Sequence, residues 1–222
     1  MNRQEISSRI AEIGIMPSVR VPEAELALFA AETVYEAGIP VVEITMTVPN
    51  AIEVIAQLAQ NFPSFVVGAG TVLDAQTAER CLAAGASFIT SPGLIPEVLE
   101  YTLKNDAVAI PGALTPSEVI AAWKAGADFV KIFPCAQVGG DQYIRALKVP
   151  LPQIPLIASG GVNQLTAANF IFAGASSLGI GSELMPRKAL KTRQDQWIRE
   201  LARRYIEAVR NARIHMGGSD AD

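Results

Sequence analysis

The sequence is poor in the residues that build metal and redox centres. Its 222 residues include one histidine, His215, and two cysteines, Cys81 and Cys135. With one imidazole and no clustered thiols, no transition-metal site is visible. The carboxylates form no obvious cluster for Mg²⁺ or Ca²⁺ either. The cysteines follow no spacing motif and no secretory context supports a disulfide, so both thiols are expected to be reduced. His215 lies in the tail and reads as non-catalytic. No apolar run approaches the ~20 residues that span a bilayer. The opening stretch "MNRQEISSRIAEIG" lacks the apolar core of a signal peptide. It reads instead as a short amphipathic helix with Ile6, Ile10 and Ile13 on one face. A cytoplasmic protein is expected. Charge is also scarce, at 18% of residues with a net charge of −4, and no basic stripe occurs. That excludes nucleic acid as the main partner.

What is abundant is apolar surface, half of the chain, arranged in a repeat. "EAGIPVVEI" from Glu36, "AAGASFIT" from Ala83, "KAGADFVKI" from Lys124 and "FAGASSLGI" from Phe172 share one logic. A helix ends, a glycine (38, 85, 126 or 174) caps it, and a short apolar strand begins at once. "GIMPSVR", "FVVGAG", "AVAIPG" and "LIASGG" supply four more strands. Helical segments fill the gaps, closing with a long tail helix from about residue 188. Eight strand–helix units at intervals of ~20–27 residues predict an α/β fold, a (β/α)₈ TIM barrel with an extra N-terminal helix. An open doubly wound sheet is the alternative. One domain is expected over 1–215, with a disordered tail over 216–222.

The sixth expected strand, "DFVKIFP", puts Lys131 inside an apolar run. The second, "VVEITM", does the same with Glu43. Alternation places Phe129, Lys131 and Phe133 on one face, and Val41, Glu43 and Thr45 on another. Both strands are even-numbered, so their inward side chains share a layer of the barrel. One reading is a structural ion pair, although desolvating both charges offsets much of their attraction. The other is covalent chemistry. Desolvation favours a neutral, nucleophilic amine, and a carboxylate beside it can move protons, as Schiff-base catalysis requires.

Glycines mark the other end of the site. The seventh strand ends "ASGGV" and the eighth "GIGSEL". Loops after strands seven and eight are the usual phosphate site of this fold. Amides of Gly160, Gly161 and Gly181 can approach an anion, and Ser182 adds a hydroxyl. Tight turns that need glycine are the bland alternative. Cys135, just after the sixth strand, reads as a small filler, and Trp123 and Trp197 as packing residues.

In order along the chain, "VVEITM", "VGAGTV", "ITSPG", "IPG", "FVKIFP", "SGG" and "GIGS" resemble the class I 2-keto-3-deoxy-6-phosphogluconate (KDPG) aldolases, also called 4-hydroxy-2-oxoglutarate aldolases. The resemblance runs from "IMPSVR" to "GIGSEL". It implies a (β/α)₈ lyase, usually a homotrimer, with no metal or cofactor. Such a lyase cleaves its keto acid to pyruvate and glyceraldehyde 3-phosphate, or to glyoxylate from the shorter substrate. It makes Lys131 the Schiff-base lysine and Glu43 the general acid/base. Thr71, Pro92 and Phe133 would line the pyruvate pocket, Gly160, Gly161 and Ser182 would hold phosphate, and Arg20 matches a basic residue after strand one. The family commonly reads E-x-T-L-R at strand two, where the arginine holds the substrate's carboxylate end. Thr47 stands in that place here and is kept as a substrate contact. "SGG" replaces the usual T-G-G. The class of chemistry is untouched, while a galactonate-type substrate or another acceptor aldehyde stays open. So do a phosphosugar isomerase or epimerase using Glu43 alone, and a barrel that only binds a sugar acid.

Overall fold

A computed structural model describes residues 1–218 of the chain. Nine short strands form one parallel sheet: β1 (Ile15–Val19), β2 (Val41–Thr45), β3 (Val66–Gly70), β4 (Phe88–Thr90), β5 (Val108–Ile110), β6 (Gly112–Ala113), β7 (Val130–Ile132), β8 (Leu156–Ser159) and β9 (Ser177–Ile180). Their order is β5-β4-β3-β2-β1-β9-β8-β7-β6. The two ends of the sheet, β5 and β6, are separated only by Pro111, so the sheet curls into a nearly closed barrel. Sequence reading made β5 and β6 one strand. Proline has no N–H to donate to a ladder, and the strand breaks there.

The helices pack outside the sheet, and the glycine repeat explains how each turns back into it. After α2 (Ala24–Glu36), the Gly38 amide donates to Tyr35 O and the Ile39 amide to Val34 O, with Gly38 at φ +95°. This left-handed cap satisfies two orphan carbonyls and reverses the chain within two residues. The same pair of bonds recurs at Gly85, Gly126 and Gly174. Helix α6 (Pro116–Lys124) begins on a capping box between Thr115 and Glu118.

The inside of the barrel is layered. Met16, Val41, Val66, Phe88, Val108, Phe129 and Ile157 form an apolar floor. Helix α1 (Arg3–Ile13) lies beneath, its Ile6 and Ile10 buried in the same cluster. One inward step along each strand, two residues on, come Ser18, Glu43, Thr90, Lys131 and Ser159. Polar groups thus sit directly above a sealed floor.

The long tail helix from about residue 188 is two helices, α9 (Arg187–Lys191) and α10 (Asp195–Gly218). Arg193 adopts φ +48° between them, a left-handed residue that no helix continues through. Arg213 on α10 ties the helix to the barrel, donating to the carbonyls of Ala11, Glu12 and Ser176. Helix α10 extends through residues 216–218 of the expected disordered tail, and residues 219–222 lie outside the described residues. Among the described residues no helix is long and apolar enough to cross a membrane.

Candidate active site

Strand β2 presents Glu43 and strand β7 presents Lys131 to the same point inside the barrel. Lys131 Nζ lies 3.1 Å from Glu43 Oε2, with both residues buried, at 7% and 1% exposure. Thr90, inward on β4, donates to the same oxygen at 2.7 Å. Burial works against the charged form of Glu43. The charge of Lys131 and the hydrogen bonds from Thr90 and Lys131 outweigh it, holding the carboxyl below the usual carboxylate range. Ser18 adds the weakest pull. It is the register partner of Glu43 on β1 and approaches the carboxylate without hydrogen-bonding geometry, so its oxygen stays buried and unpartnered.

The room for this carboxylate comes from Gly70. A Cβ there would sit 2.4 Å from the Glu43 carboxyl. The chain then rises out of β3 through Thr71, which holds φ +58°, a genuine outlier for a β-branched residue. Its hydroxyl lies 3.5 Å from Arg20 Nη2. Phe133 flanks the lysine, its ring centroid 5.7 Å from Nζ.

A cavity of about 570 Å³ opens above the pair, away from α1. Arg20, Thr71, Pro92 and Phe133 line its wall together with Lys131 and Glu43. Gly160, Gly161, Gly181 and Ser182 line it from the loops after β8 and β9. Gly161 needs to be glycine twice over. Its φ is +86°, and a Cβ would lie 2.2 Å from that of Ala136. Among the described residues, the amides of Gly161, Val162, Ser182 and Glu183 donate to no protein acceptor. All four belong to residues that line the cavity, so these N–H groups are free to donate to a bound group.

Thr47 does not join them. It is exposed, lies outside the cavity wall, and hydrogen-bonds to Thr45 Oγ1 at 2.7 Å. Alternation carries Glu43 and Thr45 as far as the strand runs, and Thr47 lies two residues past its end. Cys135 is buried, and burial pushes its thiol up to about 11, so it is a poor nucleophile at the rim. No group of three histidine, cysteine, aspartate or glutamate side chains among the described residues is placed to hold a metal ion.

A family model for the KDPG and KHG aldolases matches residues 6–201. The chain belongs to the KDPG and KHG aldolase family. The 2-dehydro-3-deoxy-phosphogluconate aldolase of Pseudomonas aeruginosa is 30% identical over 212 residues, covering 95% of this chain and 96% of the relative. The KHG/KDPG aldolase of Escherichia coli is 30% identical over 196 residues, 88% of this chain and 92% of its own. Among solved structures, the KDPG aldolase of Legionella pneumophila, with pyruvate captured as a covalent carbinolamine, has a TM-score of 0.81 at 31% identity. That match covers 89% of this chain and 96% of the other. A designed protein cage, made by fusing symmetric oligomeric domains, has a TM-score of 0.86 at 28% identity over 94% of this chain and 76% of its own.

Within this KDPG and KHG aldolase fold, the polar wall residues Ser18, Ser159, Glu183 and Arg187, and Thr90 buried behind the wall against Glu43, escaped sequence reading. Thr90 had a usable signal: the fourth strand is even-numbered, so its inward residue belongs to the layer of Glu43 and Lys131. Glu183 and Arg187 also line the cavity. They sit in and after an irregular loop, where no period says which side chains point inward.

Proposed function

We propose that this chain is a class I aldolase that cleaves KDPG to pyruvate and glyceraldehyde 3-phosphate, with Lys131 as nucleophile and Glu43 as proton carrier. The observation that carries the reading is the buried 3.1 Å contact between Lys131 and Glu43 at the closed end of the cavity. In this reading the Lys131 amine attacks the C2 ketone and forms a carbinolamine. Loss of water gives an iminium. Glu43, ionised at neutral pH because its pKa is held down, takes the proton of the C4 hydroxyl. The C3–C4 bond then breaks. Its electron pair moves to C3 and neutralises the iminium as an enamine, and C4 leaves as the aldehyde. Glu43 returns the proton to C3, and water releases pyruvate and the free amine. Shorter 4-hydroxy-2-oxoglutarate would yield pyruvate and glyoxylate by the same steps.

The remaining walls fit the two halves of the substrate. Thr71, Pro92 and Phe133 border the pyruvate end, Arg20 takes its carboxylate, and Gly160, Gly161, Gly181 and Ser182 receive the phosphate. Thr47 has no role in this reading. No cofactor or metal takes part. We read the nine strands as eight barrel staves, the fifth broken at Pro111, with α1 as an extra helix and residues 1–215 as one domain. We extend the reading to a cytoplasmic homotrimer. The oligomeric origin of the domains fused in the similar cage supports self-association.

Borohydride reduction in the presence of pyruvate tests the reading. Irreversible inactivation with pyruvate mass on the Lys131 peptide is expected, and Lys131→Arg should remain unlabelled. Labelling elsewhere, or none, would overturn it. It would then favour an isomerase or a binding protein, neither of which forms a reducible imine.

A further inference from the structure

At the floor of the cavity the charges are paired, Lys131 with Glu43. At the mouth two opposite charges stand unpaired. Glu183 and Arg187 both line the cavity, in and just after the turn that carries Gly181 and Ser182. Four residues apart, they would form an ion pair on a continuous helix. Pro186, at ψ 135°, breaks that geometry, because helix α9 begins only at Arg187. No ion pair joins the two, and among the described residues no carboxylate lies within 4.0 Å of the Arg187 guanidinium. The mouth therefore holds one fork of five unused donors and one acceptor-only carboxylate. Both are exposed side chains, so neither is there to fill a core.

We propose that Arg187 and Glu183 form a selector for substrate length and charge, favouring a phosphorylated six-carbon keto acid over a five-carbon dicarboxylate. This rests on the aldolase reading above. With the C2 carbon fixed at Lys131, a six-carbon chain brings its phosphate to the amides of Gly161 and Ser182, and the Arg187 guanidinium after that loop suits its outer oxygens in two-pronged contact. Glu183 accepts a hydrogen bond from a hydroxyl on the way. A five-carbon dicarboxylate ends sooner. Its second carboxylate falls short of Arg187 and meets Glu183, a like charge with no donor to share. The glycine amides attract any anion, whereas these two side chains sort anions by position.

The test compares kcat/KM on KDPG and on 4-hydroxy-2-oxoglutarate for Arg187→Gln, Arg187→Lys and Glu183→Gln. In Arg187→Gln the ratio of the two should fall about 10–100-fold, the loss of one charge-assisted contact, carried by KM rather than kcat. Arg187→Lys, which keeps the charge and loses the fork, should recover part of it. Glu183→Gln should lower the ratio from the other side, by improving the dicarboxylate. Inorganic phosphate, as a competitive inhibitor of dicarboxylate cleavage, should bind more weakly to Arg187→Gln, with the difference shrinking as KCl is raised. Equal effects of Arg187→Gln on both substrates, or unchanged phosphate inhibition, would overturn the selector. Wild-type trapping by pyruvate and borohydride tells the two failures apart. If it fails, the aldolase reading falls; if it succeeds while the ratio stays fixed, only the selector falls.

Discussion

Removing both members of the Lys131–Glu43 pair should damage the fold less than removing either one. At 3.1 Å the two charges attract by about 5 kcal/mol in an effective dielectric of about 20. Against this stands a desolvation penalty of several kcal/mol for each ion. The terms nearly cancel, so the pair adds little net stability. Lys131→Met removes the attraction and leaves the Glu43 carboxylate with Thr90 as its one hydrogen-bonding donor. Glu43→Leu leaves an ammonium beside the Phe133 ring. Each single change should cost about 3–5 kcal/mol. The double variant replaces both charges with apolar volume and should lie near wild type, or above it by about 1–4 kcal/mol. Urea denaturation at pH 7 without ligand, with m-values compared across the four proteins, measures this. All three variants should be inactive in cleavage. Two stable single variants would mean that the pair is not buried as described. A double variant that simply sums the two losses would mean that the charges do not interact. Either result refutes the reasoning that the site keeps an ion pair for chemistry rather than for stability.

Thr90→Val removes a donor that holds the Glu43 pKa down, so the acid limb of kcat/KM should move to higher pH. The stability that Glu43 contributes by ionising, present above its unfolded pKa and lost as pH falls through the folded one, should shrink with it. A pH profile whose acid limb stays in place would count against Glu43 as the titrating base. Gly70→Ala would drive a methyl into the Glu43 carboxyl, so turnover should drop by roughly 10²-fold or more while circular dichroism shows a folded barrel. Unchanged kcat there would mean that the carboxylate has freedom to move without loss.

The buried Lys131–Glu43 pair was legible because strands have a period. Once Phe129 is inward, Lys131 must be, and the even strands carry Glu43 and Thr90 into the same layer. The glycines of the repeated helix ends were legible because only a left-handed residue makes that reversal. What escaped notice lies where no period operates. Arg193 turns the tail in "KTRQD", with neither glycine nor proline to mark it. Pro111 splits a strand that reads as continuous in "AVAIPG". Thr47 keeps the spacing of Glu43 and Thr45 in sequence but lies past the strand's end, so the alternation no longer aims it. Arg187 reaches the cavity only because of how an irregular loop folds.

The stopper beneath the barrel also dictates traffic. With Ile6 and Ile10 of α1 buried in the floor below Lys131, the cavity above it is the route left for the substrate and both products. In the proposed reaction the enamine stays bonded to Lys131 at the bottom while the aldehyde lies between it and the exit. The aldehyde must therefore leave first and pyruvate last, in the reverse of the order in which they would enter for synthesis. Steady-state inhibition should record this queue: added pyruvate competes directly with the keto acid for the free protein, whereas added aldehyde gives a mixed pattern by re-entering on top of the enamine.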